Sequence, residues 1–264
     1  MKTTTTADPI GIEMATSSGA LPLEPSYNEP HRELDAPEVV IPRPQRKAEE
    51  RYRLIAARLE AVLGRRTGGE RSARPLGRVV LVTSPSRGDG KTTTTLHVGT
   101  ALSRALGRRV AVVDADLSRP GLAPMLGLGS ARGVVDVLDG GANLDEVLLR
   151  GEENGPLLVP SGAPIDDGRA RGLASIVNTL REYNDFVLVD TPSLSDSSDA
   201  ALLGRSADGV ILVIRAGSTR EEALASALEA LVDAPLIGCV LNDHDGGPER
   251  RKAATRPVVW EEDA

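Results

Sequence analysis

Gly88, Gly90, Lys91 and Thr92 stand together in the stretch "SPSRGDGKTTTT", residues 84–95. These residue types in this order are suited to phosphate chemistry. Glycines let backbone N–H groups turn toward phosphate oxygens, and a helix starting at the turn adds the positive end of its dipole. Lys91 is then placed to reach β- and γ-phosphates, and Thr92 can offer its hydroxyl to Mg2+. The stretch departs from the pattern GxxxxGK[ST] only at its first position, where Pro85 stands for glycine. Gly88, Asp89, Gly90, Lys91, Thr92 and Thr93 are the residues expected against the phosphates of a nucleotide.

Carboxylates come next. "VAVVDADLSRP" carries Asp114 at the end of an apolar run and Asp116 two residues later, and "FVLVDTP" ends a second such run at Asp190. In a parallel sheet all three would emerge at the carboxyl edge, where open α/β sheets bind ligands. Asp190 has the Walker B arrangement, a carboxylate that helps to hold a magnesium shell. Taken singly, Asp114 or Asp116 could equally be a helix-capping or solvated aspartate.

The elements needed to position these groups are legible around them. "RVVLVTS" leads into the glycine turn, and a helical stretch follows it to about Gly107. "RRVAVVDAD", "LLVPSG", "NDFVLVDTP", "DGVILVIRAG" and "APLIGCVLN" read as further strands, with helical stretches around 168–182, 197–206 and 219–232. Ser218 and Glu221 have the spacing of a capping box for the last helix. Continuous apolar strands separated by helices predict an α/β fold, a mostly parallel sheet with helices on both faces. Residues 78–245 form the expected nucleotide-binding domain. Residues 1–45 are Pro-, Thr-, Ser- and Glu-rich and read as a disordered tail. The segment 46–77 reads as a helix, with the stripe Tyr52, Ile55, Leu59 and Val62, followed by a basic linker, and 246–264 reads as a polar tail.

Composition narrows the function further. One Phe, one Trp and three Tyr leave no aromatic platform for stacking bases, and a net charge of −7 gives no global pull toward nucleic acid. The single cysteine, Cys239, excludes an intramolecular disulfide and is expected to be a buried, inert thiol. No apolar run has the length of a bilayer span or a signal core, so a cytoplasmic location is expected. His97 is expected to pack rather than catalyse, and His31 and His244 lie in tail or turn sequence.

The series of motifs resembles the bacterial tyrosine kinases of polysaccharide biosynthesis, within the larger ParA/MinD-type P-loop ATPases. Their loop is similar to "TSPSRGDGKTT", and Ser86 occupies the place of the extra lysine that marks ParA and MinD. "DADLSRPGL", "GVVDVLDGGANLDEVL", "VPSGAP", "VLVDTPS" and "GCVLND" continue the likeness. The resemblance implies transfer of the ATP γ-phosphoryl group to a protein tyrosine. It implies Thr92, Asp116 and Asp190 at the Mg2+ ion and Asp114 as acceptor of the tyrosine proton, with the two acidic roles interchangeable. Asn242 would contact the base, or else simply form a turn. It also implies a membrane-anchored polysaccharide co-polymerase or adaptor that recruits the chain to the membrane, a protein substrate bearing tyrosine, and a homo-oligomer.

Four departures qualify the resemblance. No Tyr follows Tyr183, so phosphorylation of a tail tyrosine cluster is not expected; Tyr27 and Tyr52 are the remaining accessible candidates. Ser118 replaces a family arginine, with Arg119 next to it. The oligomerisation motif ExxRxxR keeps Glu50 and Arg53 but has Ala56 last, and Arg171 replaces an expected glutamate. A second reading therefore stands beside the first: a regulatory switch ATPase of ParA/MinD type that docks on a membrane adaptor and phosphorylates nothing.

Overall fold

Alternation along the apolar runs decides the architecture. Val79 and Leu81 join one buried cluster, while Val80 and Val82 join another. The same division separates Ala111 and Val113 from Val110 and Val112, and Val187 and Val189 from Phe186 and Leu188. Successive side chains of a strand point to opposite faces, so strands buried on both faces need helices above and below. This is the three-layer arrangement expected from the sequence.

The computed structural model describes residues 36–64, 76–165 and 170–243. Its elements run β1 (Glu38–Val39), α1 (Arg46–Leu63), β2 (Arg78–Thr83), α2 (Lys91–Leu106), β3 (Val110–Asp114), α3 (Leu122–Met125) and α4 (Val134–Leu138). After a 3-10 turn come β4 (Leu149–Gly151), β5 (Leu157–Val159), α5 (Ala170–Tyr183), β6 (Phe186–Asp190), α6 (Asp199–Gly204), β7 (Gly209–Arg215), α7 (Glu221–Ala230) and β8 (Leu236–Asn242). The sheet order is β1-β4-β5-β3-β6-β2-β7-β8. Every pairing is parallel except β4 with β5.

Register places the chemistry. Asp114 and Asp190 are direct partners at the ends of β3 and β6, and Val82, one residue short of the end of β2, is also opposite Asp190. The glycine turn leaves β2, so the turn and both carboxylates occupy one end of three adjacent central strands. A sheet with helices on both faces holds these ends rigidly.

Several expectations are corrected. Residues 36–44 are not part of a disordered tail: Glu38 and Val39 pair with β4, and Ile41 is only 2 % exposed. β4 was not expected; at three residues it is too short to show a period. On α1 the buried positions are Ala56 and Leu59, while Val62 is 60 % exposed, so the apolar stripe is rotated away from Val62. Cys239 is exposed: on the edge strand β8 it lines a groove with Ile55 and Arg58 of α1, which covers it only in part. The capping box at Ser218 and Glu221 is absent: the N-cap of α7 is Arg220, without a side-chain cap.

His97 is 8 % exposed on α2, its ring 5.1 Å from that of Tyr52 on α1, which makes it a packing histidine. Tyr52 is itself half-buried there. The basic linker, the C-terminal tail, Tyr27, His31, His244 and the Arg171 side chain lie outside the described residues.

Candidate active site

The glycine turn has the backbone its residues demand. Gly88 and Gly90 adopt φ of 85° and 101°, and Gly90 is the N-cap of α2. Side chains are disfavoured at such angles, so glycine is the residue that lets this turn close over a ligand. Lys91 and Thr92 begin α2 immediately after it, at the end that attracts anions. Pro85, in place of the first glycine, does not prevent this geometry.

Gly90 is also sterically fixed. A Cβ there would come within 2.1 Å of the Asn242 side-chain nitrogen, which donates a 3.0 Å hydrogen bond to the Asp89 carbonyl. Gly90→Ala is therefore expected to push Asn242 off the loop. Affinity for ATP should fall at least about 10-fold, while melting in the absence of nucleotide reflects a left-handed alanine costing roughly 1–2 kcal/mol. Calorimetric titration beside thermal unfolding separates the two effects.

Of the three carboxylates, Asp190 lies against Thr92. Thr92 Oγ1 donates to Asp190 Oδ2 at 2.5 Å, and Asp190 is 1 % exposed. Asp190 Oδ1 is buried without a hydrogen-bond partner. Asp114, fully buried, accepts through Oδ2 from the backbone N–H groups of Gly121 and Leu122 at 2.9 Å each. The backbone N–H of Asp116 donates to Asp114 Oδ1 at 3.2 Å. The Asp116 side chain is half-buried and accepts from Ser118 Oγ and Arg119 N. Gly121 closes the cluster, since a Cβ there would meet Thr92 Oγ1 at 2.6 Å.

Electrostatics opposes ionisation of the cluster. Burial, opposed by the backbone N–H donors and reinforced by the Asp116 charge, raises the Asp114 pKa to about 6. Asp190 is raised well above the usual carboxylate range, by burial first and then by repulsion from Asp114, with Thr92 and Lys91 pulling the other way. Buried carboxylates normally have a partner for each oxygen and a balancing charge. The orphaned Asp190 Oδ1 beside the Thr92 hydroxyl offers oxygen donors of the kind a hard divalent ion such as Mg2+ takes, although among the described residues no three acidic or imidazole side chains converge on one metal position.

The structure thus brings Gly88, Gly90, Lys91, Thr92, Thr93, Asp114, Asp116 and Asp190 to one end of the sheet, with Asn242 at the back of the loop. Asp89 departs from expectation in one respect. Its side chain is only 2 % exposed and turns into the protein, accepting from Ser86 N and from Thr219 Oγ1, so any contact with phosphate falls to its backbone. Arg119 pairs with Asp196 at 3.1 Å. Arg215, the last residue of β7, and Thr219, in the turn after it, also bond to the loop; nothing in "RAGSTR" marks them in the sequence beyond the excess of polar residues.

A glycine-lined strand–helix turn with carboxylates at two neighbouring parallel strand ends defines a P-loop nucleotide-binding domain. Residues 80–256 match the family model described as the CobQ/CobB/MinD/ParA nucleotide binding domain, and the chain belongs to that family, in its bacterial tyrosine-kinase branch. It is 32 % identical over 170 residues to tyrosine-protein kinase YwqD of Bacillus subtilis, covering 62 % of this chain and 71 % of YwqD. It is 26 % identical over 177 residues to the succinoglycan biosynthesis transport protein ExoP of Rhizobium meliloti, covering 64 % of this chain and 22 % of ExoP. The kinase domain of the Escherichia coli tyrosine kinase Etk has the same fold, with a TM-score of 0.63 at 21 % identity over 74 % of this chain and 75 % of that one. Among the described residues no helix is long and apolar enough to cross a membrane.

Proposed function

We propose that this chain binds Mg·ATP and transfers the γ-phosphoryl group to a tyrosine hydroxyl of a partner protein in polysaccharide biosynthesis or export. The observation that carries the proposal is the 2.5 Å contact between Thr92 and a buried Asp190 whose second oxygen is orphaned, directly beneath the glycine turn. That arrangement suits the triphosphate and its ion together, and the kinases in the family supply the reaction class.

Gly88, Gly90 and the first turn of α2 bind the phosphates through backbone N–H groups, and Lys91 neutralises the β- and γ-phosphates. Thr92, Asp116 and Asp190 would hold Mg2+, which when bound offsets charge on the transferring phosphoryl group. Asp114 accepts the tyrosine proton. A pKa raised to about 6 suits a group that must be a base near neutral pH. Because Asp114 is fully buried under the Gly121–Leu122 backbone, the 115–122 segment must move aside for the hydroxyl to reach it. Catalysis then rests on positioning and charge neutralisation. Few tyrosines are available within the chain itself. Tyr52 is half-buried beside His97 and Tyr183 is partly buried against the core, which favours a tyrosine on another protein. A membrane-anchored co-polymerase or adaptor is the expected docking partner.

The test is coexpression with such an adaptor, read with anti-phosphotyrosine antibody. Phosphotyrosine that disappears with Lys91→Met supports the kinase reading, whereas ATP turnover with no Lys91-dependent phosphotyrosine on any partner leaves the switch ATPase. The roles of the two aspartates separate on Mg2+ titration. Asp116→Asn should raise the Mg2+ concentration needed for half-maximal rate about 10-fold or more, while Asp114→Asn should lower the rate at saturating Mg2+ roughly 100-fold, within the range of acid–base effects.

A further inference from the structure

Asp89 poses an electrostatic problem. A buried carboxylate sits inside a loop whose ligand carries several negative charges, and Coulomb repulsion at such distances weakens binding. Its geometry shows what it does instead. Oδ2 accepts from the Ser86 backbone N–H at 2.9 Å, which fixes the entrance of the loop. Oδ1 accepts from Thr219 Oγ1 at 2.9 Å, and that same hydroxyl oxygen accepts from Arg215 N at 2.9 Å. Asp89 is thus the strut between the phosphate loop and the turn that follows β7.

The turn holds the loop at further points. Arg215 Nη1 donates to the Gly88 carbonyl at 3.1 Å, while its Nε and Nη2 donate to Asp243 Oδ2 at 3.3 and 3.2 Å. Asn242 Nδ2 donates to the Asp89 carbonyl at 3.0 Å. Bonds to the Gly88 and Asp89 carbonyls point those oxygens toward β7 and β8, leaving the opposite edge of the peptides, the N–H groups, for phosphate. The left-handed φ values at Gly88 and Gly90 are consistent with a turn held in that sense.

We propose that Thr219 and Arg215 are positioning residues that hold the phosphate loop in its nucleotide-gripping shape, with Asp89 as the buried strut they act through. The inference rests on the reading that this loop binds ATP. Nucleotide affinity is then set in part from an exposed turn on the far side of the loop from the carboxylates.

Charge and geometry predict opposite signs at Asp89, which makes the test decisive. Asp89→Asn removes a negative charge near the triphosphate, so repulsion alone predicts tighter binding. The strut predicts the reverse, because with Oδ1 held by Ser86 N–H the Asn amide can only donate to Thr219 Oγ1, which already accepts from Arg215 N, so a charge-assisted acceptor is lost and the Thr219 hydroxyl hydrogen is left without its partner. Calorimetric titration of the full chain with Mg·ATP should show D89N and T219V each weaker than wild type by at least about 10-fold. Arg215→Gln, on an exposed side chain that cannot unfold the core, should be weaker by about 3–10-fold, and T219S, which keeps the hydroxyl, should stay within about 3-fold. With phosphotransfer as readout, the losses should appear in KM for ATP, with kcat at saturating ATP little changed. The double variant D89N/T219V should bind no more weakly than the worse single one, since both break one contact. Equal or tighter binding by D89N, or wild-type binding by both T219V and R215Q, overturns the proposal. Wild-type protein that ignores Mg·ATP would instead remove the nucleotide reading, and is distinguished by needing no variant.

Discussion

Lys91→Met is expected to lower phosphoryl transfer by about 10³-fold or more and to weaken Mg·ATP binding severely, because Lys91 is the cation in the first turn of α2. Lys91 is 8 % exposed and is the first residue of the helix that follows the glycine turn. Its charge also acts on Asp190, pulling that carboxylate toward ionisation. Methionine keeps the length of the side chain and its packing while removing the charge. The fold should therefore survive, with metal-free thermal unfolding close to that of wild type, and the loss should be confined to the ligand. A comparable fall in stability would assign Lys91 a structural role instead.

Asp190→Asn should have two opposite consequences. Without metal, the variant should be more stable than wild type at pH 8, by about 1–3 kcal/mol. The sign follows from linkage. The folded-state pKa of Asp190 is raised, so in the window above the unfolded value near 4 the folded protein binds more protons than the unfolded chain. Stability is then lost as pH rises through that window, and a neutral Asn escapes the loss. The advantage should shrink to nothing near pH 4, where both forms are neutral. With Mg·ATP the order reverses: wild type gains stability through the ligand, and the variant, lacking the buried carboxylate, gains little and turns over at least about 100-fold more slowly. Urea unfolding of both proteins at pH 4 and pH 8, with and without Mg·ATP, reads all four corners.

Such a gain on removing a charge would mean that Asp190 is kept for its ligand and not for the fold. Asp208 gives the contrast within the same sheet. It accepts from Arg78, Arg181 and the Val79 backbone N–H, so its oxygens are satisfied by the protein itself. Asp185 is likewise held by Arg109, and its pKa is lowered from the usual carboxylate value. Asp208 and Asp185 have arginines beside them; Asp114 and Asp190, at the ends of β3 and β6, repel one another, with Lys91 opposing that repulsion at Asp190.

Much of this was legible in the sequence, for identifiable reasons. Long β-branched runs ending in Asp114 and Asp190 specify buried strands and mark their carboxyl ends, and the glycines fix the turn between β2 and α2. These signals are local, and the register of a parallel sheet assembles them. What could not be read depends on contacts between distant segments. β1 and β4 are two and three residues long and exist because they pair with each other and with β5. The side chain of Asp89 looked like part of the phosphate cradle, but its partner Thr219 is 130 residues away. Cys239 reads as buried because its run is apolar, yet α1 covers the edge strand β8 only in part and leaves the thiol in an open groove. Ser218 and Glu221 have the right spacing for a cap, but the turn after β7 is drawn toward the phosphate loop and the helix begins two residues later than the pattern requires.

The central claim is that the glycine turn and the strand-end aspartates act together on one ligand, a nucleotide with its divalent ion. Isothermal titration of the full chain with ATP, in the presence of Mg2+ and then of a chelator, addresses it directly. The account predicts binding that weakens at least about 10-fold when Mg2+ is removed, with that dependence abolished in Asp190→Asn. Affinity that is indifferent to Mg2+ in the wild-type protein, or no binding of ATP in either condition, would contradict it.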